Sequence, residues 1–585
     1  MQALPTSGVR VEFDVPATMR DGTILRANVF RPDDGGAGAY PVLLTRTPYG
    51  KDLPLGASGL PLAQIARLGY VVVVQDVRGC FSSEGEWYPF LNEGADGADT
   101  VAWAAALPGA NGRVGTFGGS YVGFTQWAAA REGAPAVGAM APAITWADGE
   151  VGVLWRGGAL ELGIVGSWNM LVGIDKLLRR HRGQPQELGR AMYQLAREYD
   201  ALPTSGYGEL PLEGFGPLAR LGLDAPVTTA LQQREDEAFR APLRVADAYA
   251  TVNVPALHVG GWYDIFLGGT IKNFQGMRAA GRQGQYLIIG PWSHGMFDQV
   301  VGDVGFGLAS SGAFLDLQSD LATLHARFFD RWLKDASNGF ERWPAVKYFV
   351  MGANIWRSSE MWPPAGSEPT PWYLHSQGHA NTAEGDGELS PARPVTEPAD
   401  QFVYDPAHPV PTVGGATLMH PTLRAGAIDQ RRIELRPDML VYTSAPLEQP
   451  VEVAGPVSVV LYAASDAPDT DFVARLVDVS PDGTAIPLTD GIIRMRYRAG
   501  GGQAAAPLDP GQAYEVAIDL WATACVFLPG HRIRLDVTSS SFPRWERNLN
   551  TGQPNGAATE MRSALQAVLH DEAHPSHIVL PIARR

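Results

Sequence analysis

Cysteine is nearly absent. Cys80 and Cys525 are the only two, which excludes a disulfide framework and a cysteine-rich metal site. There is no Lys/Arg-rich run and no basic tail: 46 basic residues stand against 62 acidic ones, a net charge of -16. Such a chain is not expected to bind nucleic acid or an anionic membrane surface. No stretch has the roughly 18 consecutive apolar residues that a membrane span needs. The N-terminal MQALPTSGVRVEFDV has no apolar core behind a basic start, so no secretory signal is expected. Glycine and proline are plentiful, at 67 and 45, but follow no period, which rules out collagen-like and low-complexity readings. The expectation is a cytoplasmic enzyme.

What remains is 585 residues, 45% hydrophobic and 18% charged. That composition is globular, and the length allows about three to five domains, or fewer large ones. Residues 1–148 alternate strands with helices. A hairpin over Val9–Arg31 turns at Arg20-Asp21-Gly22, and PVLLTR (41–46) and YVVVVQD (70–76) read as buried parallel strands. Helices are expected over Leu60–Leu68 and Asn92–Leu107, and a strand over RVGTFGGS (113–120) runs into a helix over Tyr121–Arg131. Residues 149–245 carry long helical stretches and no clear strand, which predicts a helical insertion. Residues 246–358 resume the sheet with VPALHVGG and QYLIIG, followed by a helix over Leu315–Lys334. From 359 to 585 short alternating segments dominate (RRIELR, VSVVLYA, DFVARLVDV, YEVAIDLWA, HRIRLDVTSS), the texture of an all-β sandwich or jelly roll.

The strongest chemical signal is Gly118-Gly119-Ser120-Tyr121-Val122-Gly123. It closes an expected strand and opens an expected helix, the setting in which a serine is lifted clear of a sheet with its hydroxyl exposed. The competing reading is an ordinary strand–helix turn with a capping serine. A nucleophilic serine needs a base. His294, in IIGPWSHG just past an apolar strand, is best placed. His258 sits inside a strand and reads as core, His181 and His325 fall in helical stretches, and the remaining histidines, His420 among them, lie in the β-rich region. In this type of hydrolase the orienting acid lies between serine and histidine in the chain. Asp264 ends the strand HVGGWYD and fits. Asp76 also ends a strand, but it precedes the elbow and neighbours Arg78, so a loop ion pair is its expected role.

Several long strings carry a resemblance: RTPYGK (46–51), QDVRGCFSSEGEW (75–87), GTFGGSYVGFTQW (115–127), GGWYDIF (260–266), GPWSHG (290–295) and LPGHRIRLDVTSSSFPRWERNLNTG (528–552). Over nearly its whole length the chain resembles the bacterial cocaine esterase and X-prolyl dipeptidyl-peptidase group of serine hydrolases, whose elbow carries glycine three positions after the serine, as here. The resemblance implies an α/β-hydrolase domain with an inserted helical cap and a C-terminal all-β jelly roll. It implies Ser120, Asp264 and His294 as the catalytic triad, the Tyr49 hydroxyl and the backbone N–H of Tyr121 as oxyanion donors, and no metal or organic cofactor. For Tyr49 the alternative is a loop aromatic packed under the cap.

Relatives that accept a free α-amino group need acidic side chains near the triad, because a buried ammonium must be paired. Asp264 is followed instead by Ile265, Phe266 and Leu267, which argues for an uncharged acyl group. The esterase branch lines its acyl pocket with aromatics, and the matching positions here are Trp155, Trp168, Phe266, Leu418 and Met419; for the two tryptophans the alternative is cap core, since aromatics at helical spacing are usually core. The leading expectation is a carboxylesterase acting on a small-molecule ester with an apolar or aromatic acyl group. The alternatives are an X-Pro dipeptidyl-peptidase or α-amino-acid ester/β-lactam acylase of the same group, and an inert hydrolase whose jelly roll binds carbohydrate. A homodimer is compatible with the sequence. HDEAHPSH (570–577) has histidines close together but reads as a loop rather than a metal site.

Overall fold

The computed structural model describes residues 8–34, 38–57, 61–500 and 505–584. Its N-terminal half is built on a ten-stranded sheet. In chain order the first six strands are β1 (Gly8–Thr18), β2 (Ile24–Asp33), β3 (Tyr40–Thr47), β4 (Val71–Asp76), β5 (Ala110–Gly119) and β6 (Val137–Ala143). Strands Ala256–Tyr263, Gln285–Ser293, Val346–Val350 and Ile355–Ser359 continue beyond β6, and β4 precedes β3 in space. From β4 to Val346–Val350 every neighbouring pair is parallel. The β1–β2 hairpin and Ile355–Ser359 run antiparallel at the two edges.

The sheet is parallel and buried because its strands are apolar on both faces. All six residues of β4 are buried. Their two-residue period splits them between two cores: Val71 and Val73 join Val42, Leu44 and Val114 under Phe124 and Trp127, whereas Val72 and Leu43 face Phe117, Phe328 and Phe329 on the other side. Helices α1 (Leu62–Arg67), α2 (Glu93–Ala105) and α3 (Tyr121–Arg131) are shorter than or equal to the spans read from sequence, and residues 58–60, where α1 was expected to begin, lie outside the described residues. The helix expected over Leu315–Lys334 starts only at Leu321, because Asp320 caps it by accepting the Thr323 N–H at 2.7 Å.

Between β6 and Ala256–Tyr263 lies a helical segment dominated by α4 (Leu162–Arg180) and α5 (Pro185–Ala201). Pro185 opens α5, as its missing N–H permits. The segment is not wholly helical: Trp155–Arg156 pairs with Ala159–Leu160 in a two-residue hairpin.

The C-terminal region is the all-β domain expected, and the fold class is that of an α/β hydrolase with a helical cap and a β jelly roll. Its strands form one eleven-stranded, largely antiparallel sheet system. RRIELR is a correction: residues 431–436 form turns, not a strand. A turn lets Ile433 enter a small core with Val410, Met439 and Val441 while Glu434 turns inward to pair with Arg534. Among the described residues no helix is long and apolar enough to cross a membrane.

Candidate active site

Ser120 sits between β5 and α3 with φ 60 and ψ −127, a left-handed conformation that a serine adopts only when its surroundings enforce it. Its N–H donates to the carbonyls of Ala143 (3.0 Å) and Ile144 (3.1 Å), and its own carbonyl accepts from Thr145 Oγ1 at 2.9 Å. The turn also needs space beneath it. A Cβ at Gly123 would lie 2.8 Å from Thr145 Cβ and 3.0 Å from the Ala143 carbonyl. The Ser120 side chain makes no capping hydrogen bond, so the capping-serine reading fails. Its hydroxyl instead meets the Tyr49 hydroxyl.

Asp264 and His294 are neighbours because of strand register. Tyr263 and Ser293 are paired in adjacent parallel strands, so the next residue of each leaves the sheet at the same edge. His294 Nδ1 lies 2.7 Å from Asp264 Oδ1. Asp264 is fully buried, and its Oδ2 meets no hydrogen-bond partner among the described residues. This leaves His294 as the carboxylate's one side-chain partner, which assigns the proton to Nδ1 and leaves Nε2 as the basic nitrogen.

Tyr49 follows β3 and is half-buried. Burial pushes its hydroxyl up to about 12, so it stays protonated and can donate a hydrogen bond. Its loop is held from below. Asp76, at the end of β4, accepts the Lys51 N–H at 2.6 Å and the Ser82 N–H at 3.2 Å. The ion pair expected between Asp76 and Arg78 is absent; Arg78 reaches Asp96 and Asp21, and Asp76 turns the other way to tie down the Tyr49 loop. Tyr121 occupies the first position of α3, where a backbone N–H has no partner within the helix. Its buried side chain donates to Glu93 Oε1 (2.7 Å) and accepts from Trp87 Nε1 (3.2 Å) and the Phe90 N–H (3.1 Å). Glu93 in turn binds Arg46 at 2.8 Å. Arg46, of RTPYG, is thereby coupled to the elbow through a carboxylate that sequence reasoning did not single out.

Phe266 stands edge-on to His294, with centroids 5.2 Å apart, and edge-on to Trp146 at 5.2 Å. Trp146 meets Phe90 at 5.3 Å, and Phe90 stacks on Trp168 at 6.1 Å and 9°. Trp168, in α4, donates its indole N–H to the Tyr49 hydroxyl at 3.1 Å. Trp146 and Phe90 were not anticipated. Phe90 holds a positive φ of 74, a strain that sequence periodicity does not reveal. Leu418 is half-buried against the same apolar cluster as Tyr49 and Trp168. Met419 closes over Gly163 at the start of α4, where a Cβ would fall 2.4 Å from Met419 Cγ, and His420 meets Tyr199 of α5 at 4.6 Å. The Trp155 ring meets Phe239 at 6.5 Å and the Arg234 guanidinium at 5.1 Å, and Arg234 also covers Tyr497 of the β domain. Trp155 belongs to the same apolar cluster as Trp146, Phe266 and Trp168, on its side nearest the β domain.

Two other reactive groups are disposed of by burial. Cys80 is buried and its thiol is pushed well above its ordinary range, which leaves it unreactive. His258 is buried, its Nε2 is 3.1 Å from Gln285 Oε1, and burial lowers it to about 4. His570 is bound to Asp400 at 2.8 Å and to Glu397 at 3.2 Å, inside the β domain.

Residues 21–296 match the model of the X-Pro dipeptidyl-peptidase (S15 family), and residues 338–579 match that of the X-Pro dipeptidyl-peptidase C-terminal non-catalytic domain. The chain is 39% identical over 590 residues to the cocaine esterase of Rhodococcus sp. (strain MB1 Bresler), covering 98% of this chain and 99% of that protein. Among solved structures, an α-amino acid ester hydrolase superposes with a TM-score of 0.78 at 25% identity, covering 100% of this chain and 98% of that one. An aminopeptidase from a marine sediment archaeon, Thaumarchaeota archaeon, gives a TM-score of 0.77 at 25% identity over the same shares of the two chains.

Proposed function

The chain belongs to the serine hydrolase family that joins bacterial cocaine esterase to the X-Pro dipeptidyl-peptidases, and from that membership we propose that this serine esterase cleaves esters of apolar or aromatic acids through an acyl-enzyme on Ser120. In this reading the Ser120 hydroxyl attacks the acyl carbonyl while His294 Nε2 takes its proton. The Tyr49 hydroxyl and the Tyr121 N–H hold the developing oxyanion. His294 then returns the proton to the departing alcohol. A water molecule, deprotonated by the same nitrogen, attacks the acyl carbon and releases the acid and Ser120. Asp264 holds the imidazole in the productive tautomer and offsets its positive charge.

The observation that carries the choice of acyl group is the ring series His294–Phe266–Trp146–Phe90–Trp168. It supplies apolar faces, and the nearby carboxylates are engaged: Glu93 with Arg46 and Tyr121, and Asp175 with the Phe81 N–H at 2.9 Å. An acyl group with a free ammonium would find Glu93 and Asp175 already committed to these partners and would pay for its desolvation. A panel of matched substrates tests this. Benzoyl and short aliphatic esters are expected to turn over at least ~100-fold faster (kcat/KM) than α-aminoacyl esters and X-Pro amides, a discrimination of the size that unpaired buried charge produces. Preference for the aminoacyl or X-Pro substrates would overturn the proposal.

A further inference from the structure

We infer that Trp168 is a positioning residue for the oxyanion hole: its indole N–H occupies an acceptor position of the Tyr49 hydroxyl and so commits the Tyr49 proton to the reaction centre. The inference rests on the reading of Tyr49 as an oxyanion donor and adds what orients it. It also gives Trp168 a polar task distinct from lining an acyl pocket.

An indole nitrogen only donates, so the direction of the 3.1 Å contact between Trp168 Nε1 and the Tyr49 hydroxyl is fixed. A tyrosine hydroxyl has a single proton. With Trp168 donating to its oxygen, that proton points away from Trp168, on the side where Ser120 stands beside the hydroxyl. When Ser120 Oγ bonds to an acyl carbon, the acceptor beside it is the carbonyl oxygen of that acyl group. Before and during attack, then, the Tyr49 proton faces the atom on which negative charge develops. The donor is rigid. Trp168 is half-buried on α4, stacked on Phe90 at 9° and on Tyr121 at 23°, and tilted against Trp87 at 5.7 Å. Its ring cannot turn its N–H away without breaking all three contacts. Tyr121, one of the rings it stacks on, is the residue that supplies the second, backbone donor. One indole thus braces both halves of the oxyanion hole.

The test separates polarity from shape. Benzothienylalanine placed at position 168 keeps a bicyclic ring and deletes only the N–H; Trp168→Phe is the simpler companion. Each is made in the native and Tyr49→Phe backgrounds and assayed with an acetyl and a benzoyl ester of the same alcohol. The expected result is a loss of about tenfold in kcat/KM and in the acylation rate for the benzothienyl variant, the effect of about one hydrogen bond. The loss should be equal for both esters and should disappear in the Tyr49→Phe background. An unchanged rate overturns the inference, and so does a loss confined to the benzoyl ester or one that persists without the Tyr49 hydroxyl. If Tyr49→Phe alone turns over normally, the oxyanion reading of Tyr49 itself is wrong, a result distinct from the first three.

Discussion

Asp264 reaches His294 Nδ1 with one carboxylate oxygen at 2.7 Å, while its other oxygen, equally buried, has no hydrogen-bond partner among the described residues. A carboxylate with a single side-chain partner in a dry setting depends on that partner for its charge, and the imidazole depends on the carboxylate for its tautomer.

Asp264→Asn should therefore disable the base without displacing it. The amide keeps the shape, but it can present N–H to Nδ1 and push the imidazole proton onto Nε2, the nitrogen that accepts the Ser120 proton in the proposed mechanism. A fall in kcat of about 10⁴-fold is expected, with the circular dichroism spectrum unchanged. A variant within tenfold of the parent would show that Asp264 does not orient the base.

Tyr49→Phe removes one hydroxyl and keeps the ring. Loss of a single oxyanion donor should lower kcat by about 10²–10³-fold. Because the hydroxyl accepts the Trp168 indole N–H, stability should fall only by what one unpaired donor costs, about 1–3 kcal/mol. A lowered melting temperature with near-normal turnover would identify Tyr49 as a packing residue only.

Much of this arrangement was legible in the sequence. Ser120, Asp264 and His294 each follow an apolar strand, and strand ends in a parallel sheet gather at one edge, so their placement could be read from periodicity and chain order. The pairing of Arg46 with Glu93 could not, because it depends on which helix crosses the end of β3. Asp76 was assigned to Arg78 on adjacency along the chain, but residues two apart on a turning loop point in different directions, and the Lys51 N–H lies nearer. Trp155 was grouped with Trp168 as a cap aromatic. A two-residue hairpin leaves no periodic trace, so the pairing of Trp155–Arg156 with Ala159–Leu160 was not legible. RRIELR alternates as a strand should, yet burial of Glu434 against Arg534 makes a turn the better solution.

The Arg46–Glu93 pair is fully buried, and removing one member of such a pair leaves the other uncompensated. Glu93→Gln should destabilise the protein by about 3–5 kcal/mol, read as a shift in the denaturant midpoint. The glutamine amide keeps an oxygen that can accept from the Tyr121 hydroxyl, so turnover should change less than stability. Unchanged stability would mean that Arg46 finds another anion or solvent.

His258 links stability to pH. Burial lowers it from its ordinary 6.5 to about 4 in the folded chain. Between those values the unfolded chain binds the extra proton, so stability is full above about pH 6.5 and is lost as pH falls towards 4, by roughly 3 kcal/mol in all. Asp76 opposes this: burial raises it to about 6, and its contribution is lost as pH rises through that value. His258→Asn keeps a donor for Gln285 and cannot titrate. The stability difference between the parent and this variant should therefore shrink as pH falls from 6.5 to 4, measured by denaturant titration at each pH. A constant difference would show that His258 is not held neutral by its surroundings.

The most direct measurement is the site of covalent capture. A fluorophosphonate should react with the active protein at one residue, and peptide mass mapping should place the adduct on Ser120, with esterase activity lost in step with labelling. Ser120→Ala should take no label and lose about 10⁴–10⁶-fold in turnover while keeping its melting temperature. An adduct on any other residue, or an alanine variant that still hydrolyses esters, would contradict the acyl-enzyme at Ser120.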